Sequence, residues 1–276
     1  MSQFDKYHGL GNDFIFMEDF GGNLLSKGEM LAKALCHRQF GIGADGLVLI
    51  TRQAGLYTMR IFNADGTEAE MCGNAIRCMA HYLLDHGLAQ GPVIQIGTLS
   101  GVKEVRQADE WYVVDMGEPD FSFSQGNSVE IVSHDVSWTA YPVSMGNPHA
   151  VVFVDDLASL DFTTWGPRLE AAKQWPNGAN IEFTQVLSPN QIEVRVWERG
   201  AGATLACGTG ACAAAVVSSK LGLTQELTAG AIRVSLPGGV LAIHGGFDNH
   251  VFMSGPAVKV FSGSIDISKI EKERKL

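Results

Sequence analysis

Positive charge is scarce in this sequence: 20 lysines and arginines stand against 30 aspartates and glutamates, a formal net charge of −10. Nucleic-acid binding needs a basic face that displaces counterions from phosphates. The one basic cluster is the short tail from Lys269 to Lys275, expected as a solvated end. Long apolar runs are missing too. No stretch of about eighteen apolar residues could cross a bilayer. The opening MSQFDKYHGLGNDF has neither the basic start nor the apolar centre of a secretory signal. A cytoplasmic chain is expected, without a nucleic-acid or membrane partner.

Cysteine is sparse and odd in number, five in all, with neither the spacing of a disulfide scaffold nor the Cys-x-x-Cys pairs of a tetrahedral zinc site. In a reducing compartment these are thiols. There is no phosphate-loop lysine, no serine on a strand-turn-helix elbow and no lysine in a recognisable pyridoxal-phosphate setting. The segment GIGADG, Gly41 to Gly46, meets the three-glycine dinucleotide spacing, but it follows a helical segment and runs into the strand-like LVLI. A dinucleotide loop must follow a strand and open a helix, so no nucleotide cofactor is expected.

What the sequence does contain is a copy of itself. Gly11-Asn12 recurs as Gly146-Asn147 (146 − 11 = 135), each pair opening onto an apolar run. Arg60 and Arg195, Cys72-Gly73 and Cys207-Gly208, and Gly87 and Gly222 recur at the same offset, and VDMGEP near Met116 resembles VFMSGP near Met253. A strand, a polar loop, Cys-Gly, a helix and a terminating Gly recur in the same order. At 276 residues the chain has room for two domains. The repeat places them at 1–117 with 262–276, and 118–261.

Ser26 with Glu29 forms a capping-box pattern before LAKAL, predicting a helix to about Gln39. The segments after Asn74 and Thr209 are apolar nearly all round and read as buried helices. Short alternating runs such as VIQIGTL, WYVVDM and IEVRVW predict mostly antiparallel strands. The fold class is therefore α+β: two duplicated domains, each a curved, mostly antiparallel sheet around a central helix.

Cys36, Cys78 and Cys212 fall inside helices and are assigned to packing. Cys72 and Cys207 each fall at a helix start before Gly, where backbone N–H groups and the helix dipole favour a thiolate. Duplication makes them a matched pair. Inverting a carbon takes a base on one face and an acid on the other, since a single group tends to return the proton to its origin. Gly73-Asn74 and Gly208-Thr209 offer bare N–H groups at two helix starts, a cradle for a carboxylate. Neutralising that carboxylate lowers the cost of an α-carbanion.

Five segments, HGLGNDF, FNADGTEAEMCGNAIRC, MGNPH, NGANIEF and ERGAGATLACGTGACAAA, run in order from residue 8 to residue 215 and resemble the signature blocks of the diaminopimelate epimerase family. The resemblance implies conversion of LL-diaminopimelate to the meso form in lysine biosynthesis, without metal or cofactor, by a homodimer acting on a small amino-acid substrate. It implies Cys72 and Cys207 as the paired acid and base, and Gly73, Asn74, Gly208 and Thr209 as the cradle. Asn12, Asn63, Asn147, Asn180, Glu198 and Arg199 match the groups that hold the substrate, chiefly its distal end. His149 and Glu198 match residues that tune the thiols. Some members have glutamine where this chain has Gly46 and glutamate where it has Ala203, and no contact is carried to either position. The alternative is a racemase of another amino acid on the same two-thiol fold. A proline-type member would show histidine after the first Cys-Gly, where Asn74 stands.

Overall fold

The structure, a computed structural model, describes residues 1–124, 126–133, 136–245 and 249–273; the last three residues of the basic tail lie outside these. The chain divides into two compact units, Met1–Val114 with Gly255–Leu276, and Asp115–Ser254. The first contains β1 (Ser2–Gly9), β2 (Asn12–Glu18), α1 (Gly28–Leu35), β3 (Gly46–Gln53), β4 (Leu56–Asn63), β5 (Glu68–Ala69), α2 (Gly73–Asp85), β6 (Val93–Thr98), β7 (Gly101–Ala108) and β8 (Trp111–Asp115). The second contains β9 (Val129–Ser133), β10 (Val136–Ser144), β11 (Pro148–Phe153), α3 (Phe162–Glu170), β12 (Asn180–Ser188), β13 (Gln191–Glu198), β14 (Gly202–Ala203), α4 (Gly208–Lys220), β15 (Ile232–Leu236), β16 (Gly239–Gly245) and β17 (Val251–Pro256). The chain then returns to the first unit as β18 (Val258–Ile265) and α5 (Ile267–Glu273).

Taken separately, the two units have one topology. In the first, strands pair in the order β18, β1, β2, β3, β4, β6, β7, β8, with β5 on β4. In the second the order is β9, β10, β11, β12, β13, β15, β16, β17, with β14 on β13. Most pairings are antiparallel. Among the described residues two in each unit are parallel, β2 with β3 and β4 with β6, then β11 with β12 and β13 with β15. Each parallel connection carries a helix, as parallel neighbours require a crossover.

The helices explain why so many strands are apolar on both faces. In the first unit α2 lies against β1, β2, β4, β6, β7 and β18. On β2, Ile15 and Met17 join Leu31, Leu35, Leu47, Leu49 and Phe62 in a core under α1, while Phe16 stacks on Tyr82 of α2. In the second unit α4 takes the central place, and Ile181, Phe183, Leu169 and Trp175 build the corresponding core under α3. Residues 211 to 217 of α4 are buried without interruption, so this helix has no wet face. Both central helices end alike: Gly87 and Gly222, at φ 64° and 68°, follow their C-cap residues in the left-handed region.

The first helix departs from the sequence-based expectation. Ser26 lies inside a single 3-10 turn, Leu25–Lys27, and α1 ends at Leu35. Neither this turn nor α1 has a side-chain cap, and the carboxylate of Asp19 instead organises the chain ahead of the turn, accepting the backbone N–H groups of Asn23, Leu24 and Leu25 at 2.8 to 3.1 Å. The helix stops because the chain folds back on it: the N–H groups of Ile42 and Gly43 donate to Leu35 O at 2.8 and 2.9 Å. A Cβ on Gly41 would run into the carbonyl oxygens of Ala34 and Leu35. The glycines of GIGADG thus close a helix end and lead into β3, the reverse of a dinucleotide loop.

Candidate active site

Cys72 and Cys207 are the N-cap residues of α2 and α4, both in extended backbone conformation (φ −144°, ψ 122° and φ −108°, ψ 114°). An N-cap residue has the unpaired N–H groups of the first helical turn in front of its side chain. Gly73 and Asn74, and Gly208 and Thr209, form the first residues of the two helices. Each unit therefore holds one sulfur beside one N–H cradle.

In the first unit, the Cys72 thiol lies 3.9 Å from Asn12 Oδ1, and Asn74 Nδ2 donates to the same oxygen at 3.1 Å. Asn12 Nδ2 in turn donates to Asp45 at 2.9 Å. Beneath them Arg77 is fully buried, donating to Asn74 Oδ1 at 2.8 Å, Gly73 O at 3.1 Å and Pro256 O at 3.3 Å. A buried guanidinium wired to the cradle's own backbone fixes its geometry and places positive charge behind it. Asn63 sits at the end of β4, where its amide donates to the Thr67 hydroxyl at 2.9 Å and pins the turn.

In the second unit, Cys207 Sγ accepts the Gly210 N–H at 3.4 Å and lies 3.5 Å from Thr209 Oγ1. Glu198 stands at the place on β13 that Asn63 has on β4, and accepts the Thr204 hydroxyl at 2.5 Å. Asn180 ties two segments together, donating to Pro148 O and accepting Arg199 N–H, both at 2.9 Å. Arg199 reaches Asn177 O at 3.4 Å and, with Pro148, His149 and Asn177, lines a cavity of about 350 Å³. His149 is buried, with Nδ1 2.7 Å from Glu182 Oε1 and Nε2 2.9 Å from Asn147 Oδ1.

The surroundings of Cys207 work against the helix start. Burial, then the charges of Glu198 and Glu182, push this thiol well above its ordinary range, outweighing the hydrogen bonds from Thr209 and Gly210. Burial likewise pushes Cys36 and Cys78 up to about 12, as suits packed thiols. Glu182 and Arg77 were not singled out from the sequence. The signal for both was a charged residue within an apolar buried run, IEF and AIRCMA.

The family model described as Diaminopimelate epimerase matches residues 4–122 and 141–260. The diaminopimelate epimerase of Moorella thermoacetica is 44% identical over 281 residues, covering 96% of this chain and 99% of that one. That of Pelotomaculum thermopropionicum is 46% identical, covering 94% and 97%. Among solved structures, a phenazine biosynthesis protein of the PhzF family from Bacillus anthracis superposes with a TM-score of 0.71 at 14% identity, covering 96% of this chain and 99% of that one. A hydroxyproline epimerase from Agrobacterium vitis gives 0.68 at 13%, covering 95% and 91%. At these identities the two structures share the fold alone.

Proposed function

Since the chain belongs to the diaminopimelate epimerase family, we propose that it inverts one α-carbon of LL-diaminopimelate to give the meso isomer, in lysine biosynthesis, using Cys72 and Cys207 as paired base and acid. The observation that carries this reading is the repeat of one half-site: an N-cap cysteine beside a Gly-led helix start, once in each unit. The two units, Met1–Val114 with Gly255–Leu276 and Asp115–Ser254, each contribute one thiol.

The chemistry follows from the parts. The reacting carboxylate takes the N–H groups of Gly73, Asn74, Gly208 and Thr209, whose fixed dipoles meet the charge that grows as the α-proton leaves. One sulfur removes that proton while the other donates to the opposite face, so the C–H bond re-forms inverted. In the LL-to-meso direction Cys207, whose environment favours the neutral thiol, is the donor and Cys72 the base. The distal amino-acid end requires acceptors for its ammonium and donors for its carboxylate. Glu198, Arg199, Asn12, Asn63, Asn147 and Asn180 provide both kinds. In this reading the enzyme works in the cytoplasm, where a mechanism that needs two free thiols is kept reduced, and its assembly is a homodimer. No helix among the described residues is long and apolar enough to cross a membrane.

The test is to incubate the purified protein with LL-diaminopimelate and a panel of other amino acids in deuterated water. Deuterium at the α-carbon together with meso product is expected from LL-diaminopimelate. Faster exchange and inversion of a different amino acid would replace the substrate.

A further inference from the structure

The two units repeat each other in register, so a place where the copies differ in chemistry stands out. Val48 on β3 pairs with Phe16 and Ile61. Its counterpart by register, pairing with Val151 and Val196, is Glu182 on β12. Phe14 and Ala75 correspond, at the offset of 135, to His149 and Gly210. An apolar group in one unit has thus become an acid, an imidazole and a bare backbone in the other.

The three changes meet at one point. Glu182 and His149 are fully buried, with both side chains at 0% exposure. Glu182 faces α4 because its neighbours Ile181 and Phe183 face α3, and strand side chains alternate. A Cβ on Gly210 would lie 2.8 Å from Glu182 Oε1 and 3.3 Å from Cys207 Sγ, so the missing methyl is what lets the carboxylate sit against the first turn of α4. Glu182 Oε2 has no hydrogen-bond partner among the described residues. Leaving a buried carboxylate oxygen unpaired is costly. Val48 shows that the fold holds this position with an apolar side chain, so stability does not call for an acid here.

Resting on the epimerase reading, we propose that Glu182 is a positioning residue of the reaction: it orients His149 toward Asn147 and sets its carboxyl behind Cys207 at the first turn of α4, so that this sulfur waits as the proton donor. Among the described residues, the groups that act on the thiol are Glu182 on β12, with His149 of β11 bound to it, Glu198 on β13 and Thr209 on α4 itself. Glu198, at a strand end within reach of Thr204, acts on the thiol more strongly than Glu182, but Glu182 alone is sealed beneath the helix, where burial pushes its carboxyl up and His149 draws it back down. The first unit has the opposite arrangement, Arg77 beneath the cradle beside Cys72.

The proposal is tested with Glu182→Gln, which keeps an acceptor for His149 but removes the ionisable acid, and with Gly210→Ala, whose methyl displaces the carboxyl. Thiolate formation at Cys207 is read from ultraviolet thiolate absorbance against pH, as the difference between each protein and its Cys207→Ser counterpart. Epimerase kcat and KM are measured alongside. In a folded Glu182→Gln protein the Cys207 titration should move down by at least about one pH unit. Its kcat should fall by about tenfold or more while KM stays within about threefold. If Glu182→Gln does not fold, Gly210→Ala is read in its place, with the same downward shift expected. An unchanged Cys207 titration in the folded variants overturns the proposal, even if activity falls, because a structural role alone would leave the thiol unmoved. Wild-type protein inert toward LL-diaminopimelate would instead refute the substrate reading, and the titration would still judge Glu182.

Discussion

Cys72 and Cys207 hold the same position in two copies of one motif: each is the extended N-cap residue of a 13-residue helix. Yet Cys207 is buried, with acids pushing its thiol up, while Cys72 is partly exposed and lies one turn from a buried arginine. Equal backbone and unequal charge suit the proposed division of labour, in which one sulfur takes a proton from the α-carbon and the other delivers a different proton to its opposite face.

If each thiol serves one face, replacing either by alanine should reduce net inversion by more than about a hundredfold, the scale of a positioned acid or base. Each single variant should keep some exchange of the α-proton on the side of its remaining sulfur. Alanine at Cys36, Cys78 or Cys212 should leave turnover near wild type. The measurement is deuterium exchange against stereoinversion for all five. Near-normal inversion without Cys72 or without Cys207 would end the two-thiol mechanism.

Carbanion stabilisation by backbone N–H groups needs neither Lewis acid nor imine. Turnover should therefore be unaffected by prolonged dialysis against a chelator and by carbonyl reagents such as hydroxylamine. Loss of activity that returns on adding a metal ion or pyridoxal phosphate would contradict this.

Alkaline stability should depend on the packed thiols. Folding raises Cys36 and Cys78 from 9.0 to about 12, so the folded state binds protons that the unfolded chain has already released. Their stabilising contribution is complete below about 9 and is lost as pH rises toward about 12, at on the order of 1 kcal/mol per pH unit for each thiol. Tyr7 and Tyr82 are raised as well and act in the same direction. Urea unfolding at successive pH values should show a shallower alkaline decline for Cys78→Ala than for wild type. Identical slopes would mean that burial does not hold this thiol neutral.

Gly41→Ala should destabilise the first unit by about 2 kcal/mol or more, because its methyl meets backbone carbonyls that cannot turn aside. Thermal unfolding would show it. An unchanged midpoint would mean that the end of α1 is looser than its hydrogen bonds suggest.

The duplication, the two buried central helices and both N-cap cysteines could be read from the sequence, because each rests on local order: an offset, an apolar run, a Cys-Gly before it. The parallel pairings of β2 with β3 and β11 with β12 could not, since a strand's apolar pattern records that it is covered on both faces but not which neighbour it takes. The capping-box pattern at Ser26 does not form because Asp19, seven residues before it, gathers the N–H groups of residues 23 to 25 and leads the chain into a 3-10 turn that takes up Ser26. The pairing of His149 with Glu182 bridges 33 residues and becomes visible only once β11 and β12 lie side by side.

The pairing of β1 with β18, from Ser2 opposite Ile265 to His8 opposite Val258, has a consequence for how the protein is made. The second unit is one continuous stretch of chain and can condense on the ribosome as soon as it emerges. The first unit must keep one edge of β1 open until β18 is translated. A nascent sheet with an unsatisfied strand edge is the species from which misassembly starts. Chains stalled before β18 should therefore be the ones that chaperones retain.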